Sequence, residues 1–157
     1  MDAPVDAVFD CSVFPRSRAI GHIGTHPTNM DMLPTVDIFL SYIHTFANQV
    51  ARFAFSTGGV SPSEREQLRT CCYDEGGQNR SVAFATVLWH CLQSRRTLFA
   101  GGTMIHLGRW RWARSTCQGL CSDCKESTSP DFNRAAITPA VRLFNSVLDD
   151  ELAERCQ

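Results

Sequence analysis

Residues 74–100 limit the possible folds more than any other stretch of the chain. After the turn Gly76-Gly77 come Val82, Ala83, Phe84, Ala85, Val87, Leu88, Trp89, Cys91 and Leu92, with no polar stripe before Gln93. A helix that is apolar on every side has to be enclosed by protein or by lipid. This run is too short for a bilayer, which takes roughly 20 apolar residues, and it ends in Arg95-Arg96. It is therefore read as a central core helix wrapped by the rest of the chain. A buried strand is the competing reading. The length of the run and the lack of consecutive β-branched residues weigh against it.

The flanking segments supply the wrapping. Val36, Phe39, Leu40, Ile43, Phe46, Ala47, Val50, Phe53 and Ala54 keep a 3.6-residue period, with Thr35 as N-cap and Gly58-Gly59 as the stop. The plain reading is an amphipathic core helix. A sharper one has part of its apolar face, Phe46 and Val50, lining a groove for a partner helix. Ser61-Pro62-Ser63-Glu64 is a capping box and predicts a short helix from Pro62 to about Tyr73, with Leu68, Cys71 and Cys72 facing inward. Thr103–Arg114 reads as a further helix, and Thr138-Pro139 opens a last one through Val141, Phe144, Val147, Leu148 and Leu152.

Residues 1–34 read as irregular, broken by Pro4, Pro15, Pro27 and Pro34; Val5, Val8, Phe9, Val13 and Phe14 there suit a short helix docked on the core. Residues 115–135 read as a polar, cysteine-containing loop. The expected architecture is one helical domain over residues 1–157, an all-α bundle of about six helices around the hydrophobic central helix.

A net charge of −1 leaves no electrostatic footprint for nucleic acid and no polybasic patch for a membrane. No stretch reads as a transmembrane segment, and the acidic opening MDAPVDAVFD has no apolar core of a targeting signal. The eight cysteines are then expected to be reduced thiols inside a cell, most of them acting as small buried hydrophobes. No nucleophile elbow, phosphate loop or HExxH occurs. His90 suits a satisfied core histidine, and Asp74 and Glu75 suit turn and helix-dipole roles. The chain is expected to be no enzyme and to need no cofactor.

One cysteine pattern stands apart, Cys117-x-x-x-Cys121-x-x-Cys124. It resembles the loop that holds three irons of a four-iron cluster in radical enzymes using S-adenosylmethionine. Those enzymes place the loop after the first strand of a large barrel, whereas here it lies late in a small helical chain. A zinc ion would need a fourth ligand, for which Cys91, His106 and Cys156 are candidates. His22 and His26 are four apart, but Gly24 and Pro27 deny them a helical face, and they read as solvated loop residues. Free thiols are the first expectation, and a zinc clip through Cys117, Cys121 and Cys124 in a small helical adaptor or interaction protein is the alternative.

The turn into the central helix resembles the first homology motif of the B-cell lymphoma 2 (Bcl) family of apoptosis regulators, roughly D-G-x-N-W-G-R-I-V-A-F-F. Asp74, Arg80, Val82, Ala83 and Phe84 match it, while Gly77, Gln78 and Asn79 replace its Asn-Trp-Gly. Viral members, among them the small early-region 1B antigens (19 kilodalton class) of adenoviruses, are similar in Val82-Ala83-Phe84, in Ala100-Gly101-Gly102 and in the Trp/Arg segment that follows. No Leu-x-x-x-Gly-Asp and no late Gly-Gly-Trp of the family is found.

The resemblance implies a Bcl-like bundle that inhibits host-cell death by holding the amphipathic helix of a pro-apoptotic partner. Arg80 would pair with that helix's acidic residue, and Val82, Ala83 and Phe84 would form the groove floor. It also implies host cytoplasm as the location, with peripheral contact at mitochondrial or nuclear membranes.

Overall fold

The computed structural model of the chain describes residues 5–16, 19, 21–56, 67–75, 79–96, 117–127, 129 and 134–155. Within them the elements run β1 (Ala7–Asp10), a 3-10 turn at Cys11–Val13, α1 (Pro27–Met30), a second 3-10 turn at Leu33–Thr35, α2 (Ile38–Ser56), β2 (Thr70–Tyr73), α3 (Arg80–Gln93), α4 (Ser122–Glu126) and α5 (Ile137–Arg155).

The apolar run becomes α3, most of which is enclosed, with Ala85, Trp89 and Leu92 only partly buried. Val82, Ala83, Phe84, Val87, Leu88 and Cys91 are all buried. Phe84 is the hub. Its ring lies 5.4 Å from Phe9, 5.3 Å from Phe14, 6.3 Å from Phe39 and 5.7 Å from Tyr42, centroid to centroid, within the range of favourable aromatic pairing. On the far side Phe46 of α2 stacks on Phe144 of α5 at 5.8 Å. Asp74 accepts from the backbone N–H of Ser81 at 2.7 Å, so an upstream carboxylate satisfies one orphan donor of the helix start.

The all-α, Bcl-like bundle expected from the sequence is not what forms. β1 and β2 make a two-stranded parallel sheet, with Phe9 opposite Cys72 and Asp10 opposite Tyr73, so the fold is mixed α/β. The docking helix expected in the first residues is replaced by β1 and its 3-10 turn, and the helix expected to reach Tyr73 gives way to a strand at Thr70–Tyr73. Both corrections have the same cause. Ala7-Val8-Phe9-Asp10 alternates, with Ala7 and Phe9 buried and Val8 exposed, which is the period of a strand. Thr-Cys-Cys-Tyr supplies β-branched and aromatic residues. The segments are four residues long, too short to stand out against helical signals on either side. The helix expected at Thr103–Arg114 and the Ser61–Glu64 box lie outside the described residues.

No helix of the described residues is long and apolar enough to cross a membrane. The expectation that cysteines serve as buried hydrophobes holds for Cys11 and Cys91, both fully buried. Burial pushes the Cys91 thiol far up, and a hydrogen bond to Cys72 together with burial does the same for Cys11.

Candidate metal centre

The late cysteine loop is built to turn its sulfurs toward one point. Gln118 and Gly119 both adopt positive φ, 49° and 78°. Glycine takes that conformation without a Cβ penalty. The turn aims the Gly119 N–H at Cys117 Sγ, 3.3 Å away. Cys121 then sits in extended backbone as the N-cap of α4, and its sulfur accepts from the Cys124 N–H at 3.4 Å. Backbone donors thus face two of the three sulfurs, and at Cys117 the arrangement favours thiolate over thiol.

The loop of residues 21–26 closes the group. The Cys117 N–H donates to the Gly21 carbonyl at 3.1 Å, and the next residue, His22, brings Nδ1 to 3.5 Å from Cys121 Sγ and 3.8 Å from Cys124 Sγ. Cys117 Sγ and Cys124 Sγ are 3.8 Å apart. All four ligand atoms lie within 4.8 Å of one another. Sulfurs at ~2.3 Å and a nitrogen at ~2.0 Å from one tetrahedral zinc would be separated by about 3.8 Å (S to S) and about 3.5 Å (S to N). Three of the six pair distances come close to that geometry, and the others lie within 4.8 Å. A four-iron cluster puts each thiolate on a different iron and needs a wider frame.

Electrostatics make the group uncomfortable without a cation. Burial pushes the Cys117 thiol up, but hydrogen bonds from the Gly119 N–H and from Cys124 and Cys121 outweigh it and hold the thiol down at about 7. Cys124 is pushed up to about 12, first by its burial and then by its neighbours Cys121 and Cys117. One sulfur is ready to ionise and the one beside it is not, as expected of like charges in contact. A divalent ion removes the conflict by ionising every coordinated thiol.

The surroundings fix the ligands. The His26 ring packs against His22 with centroids 4.2 Å apart, and its Nε2 lies 3.6 Å from Asp123 of α4. Burial and then the neighbouring His22 hold the His26 imidazole below its ordinary range, against the pull of Asp123. Ser127, fully buried, donates its hydroxyl to the Cys124 carbonyl at 2.9 Å and accepts from His90 Nε2 through its own carbonyl at 2.9 Å. His90 is thus the satisfied core histidine its position implied, and it ties the cysteine loop to α3. The hydroxyl of Thr25 is buried. It stands beside Cys124, where it favours the thiolate.

Cys117, Cys121 and Cys124, singled out by their spacing, lie together in the fold, and His22 lies with them. His22 is half-buried against the sulfurs, not a solvated loop residue. Cys91, one proposed fourth ligand, is spent in the core. His106 and Cys156 lie outside the described residues. Nothing local to His22 betrays its role, because its partners are about a hundred residues away and reach it only through the fold.

The six residues assigned to a partner groove are engaged within the chain. Arg80 donates through Nη1 to the carbonyls of Ser12 at 2.8 Å and Phe14 at 3.3 Å. This explains a cation in the first turn of α3, where the helix dipole disfavours it. Val82, Ala83, Phe84, Phe46 and Val50 are each no more than 4% exposed. Arg80→Ala is therefore expected to lower stability by about 1.5–3 kcal/mol, the range for hydrogen bonds to a charged group. Urea denaturation reads this directly; a variant as stable as the parent would mean that the two carbonyls do not depend on Arg80.

Comparison with protein-family models, with curated proteins and with solved structures finds no match.

Proposed function

We propose that this chain is a zinc-binding adaptor-type domain in which one Zn²⁺, held by His22 Nδ1 and the sulfurs of Cys117, Cys121 and Cys124, is a structural clip. The observation that carries this is the spacing of the four donor atoms, all mutually within 4.8 Å. Three thiolates and one imidazole are a donor set of zinc, and a tetrahedron filled by four protein ligands leaves no position for water or substrate. The clip joins the loop before α1 to the loop around α4. Through Ser127 and His90 it also fastens that join to the central helix.

The test is metal content under reducing conditions. Purified protein is expected to carry about one zinc per chain, and cobalt(II) in its place should give the intense visible bands of a tetrahedral thiolate site. Cys121→Ser and His22→Ala should each weaken binding by at least about tenfold. A fully reduced chain that takes up no zinc and shows no tetrahedral cobalt spectrum rules the reading out.

A further inference from the structure

The clip contains the means of its own release. We infer that Cys117 and Cys124 are a redox pair, and that their oxidation to a disulfide by a peroxide-class oxidant ejects the zinc; this rests on the zinc-clip reading. The two sulfurs are 3.8 Å apart, so a shift of roughly 2 Å brings them to bonding distance. Cys117 is partly open to solvent, whereas Cys124 is only 2% exposed. The oxidant therefore meets Cys117 first, and Cys124 waits behind it.

Cys121 is differently placed. Its sulfur is the side-chain cap of α4, accepting from the Cys124 N–H. Moving it disturbs the helix cap.

The chemistry balances. The Cys117 thiolate attacks one oxygen of hydrogen peroxide; an S–O bond forms, the O–O bond breaks, and hydroxide leaves to become water. The Cys124 thiolate then attacks the sulfenic sulfur; the S–S bond forms, the S–O bond breaks, and a second hydroxide leaves and is protonated. Two electrons pass from the sulfurs to peroxide, and two waters are produced. Only Cys121 and His22 then remain to hold the ion. Two ligands do not complete a tetrahedral site, and Zn²⁺ is lost. A thiol reductant with added zinc reverses both changes.

The experiment uses the unmodified full chain, loaded with zinc and quantified before any oxidant is added. Hydrogen peroxide is titrated in while a chromogenic chelator reports free zinc. Remaining thiols are then alkylated, and the chain is cut with chymotrypsin under non-reducing conditions. Cleavage after the exposed Leu120 separates Cys117 from Cys121 and Cys124. The expected result is one zinc released per bridge formed, a Cys117 peptide linked to one bearing alkylated Cys121, and recovery with dithiothreitol and zinc. A bridge between Cys121 and Cys124, or zinc retained while Cys117 is oxidised, overturns the inference and leaves the clip standing. A chain that binds no zinc before peroxide is added overturns both.

Discussion

Cys124→Ser is expected to release the metal and to cost the domain about 4 kcal/mol. The size follows from the length of chain that the clip closes. A crosslink between His22 and the loop at Cys117–Cys124 ties off about a hundred residues, and restricting such a loop in the unfolded chain is worth roughly 4–5 kcal/mol in the chain-entropy account. For a chain of this size each kcal/mol shifts the melting temperature by about 2–4 °C, so the variant should melt roughly 8–16 °C lower. Treating the parent protein with a zinc chelator should give a drop of the same size, reversed by excess zinc. Cys71→Ser is the control, since Cys71 is half-buried on β2 and outside the cluster; it should keep the metal. Equal melting temperatures with and without chelator would mean that the group of four is no clip.

Gly24→Ala should be nearly as damaging, although it removes nothing. A Cβ at position 24 would lie 2.1 Å from the Asn79 carbonyl oxygen, 2.5 Å from the Ala83 nitrogen and 2.7 Å from Val82 Cβ. The first two are backbone atoms, and they are the two ends of one hydrogen bond, the Ala83 N–H to Asn79 bond of 2.8 Å in the first turn of α3. No side-chain rotation relieves the clash. Either the first turn of α3 opens, or the loop of residues 21–26 backs away and takes His22 from the sulfurs. The cost is expected at about 3 kcal/mol, the upper end for overpacking, together with a loss of zinc affinity of at least tenfold. Denaturant midpoints and a competitive zinc titration measure the two effects separately. A variant within about 2 °C of the parent in melting temperature would mean that the loop does not bear on the helix in this way.

What could be read from the sequence followed the length of each signal. α2 and α5 carry apolar periodicity over many turns, and their observed spans, Ile38–Ser56 and Ile137–Arg155, fall where Val36–Ala54 and Val141–Leu152 put them. The apolar run gave the place of α3 and its burial. The strands were not legible, since four residues of alternation in AVFD or of β-favouring types in TCCY carry little weight beside neighbouring helical cues, and pairing between them is a property of the whole fold. The site was half legible. Cys117, Cys121 and Cys124 announce themselves by spacing, but His22 joins them only because Gly24 lets its loop press on the start of α3. Arg80 shows the converse case. Its match to a motif drew it toward a partner, while the fold uses it to hold the carbonyls of Ser12 and Phe14.

The pairing of Ala7–Asp10 with Thr70–Tyr73 bears on when the molecule can assemble. Both the sheet and the His22 group join parts of the chain that are far apart in sequence, so neither can form until the later part has been made. A ribosome adding about 5–20 residues per second exposes the early β-edge and His22 for several seconds before Cys124 has emerged. Over that interval β1 lacks a partner until Tyr73 has emerged, and His22 lacks the full set of sulfurs it meets in the fold until Cys124 has followed.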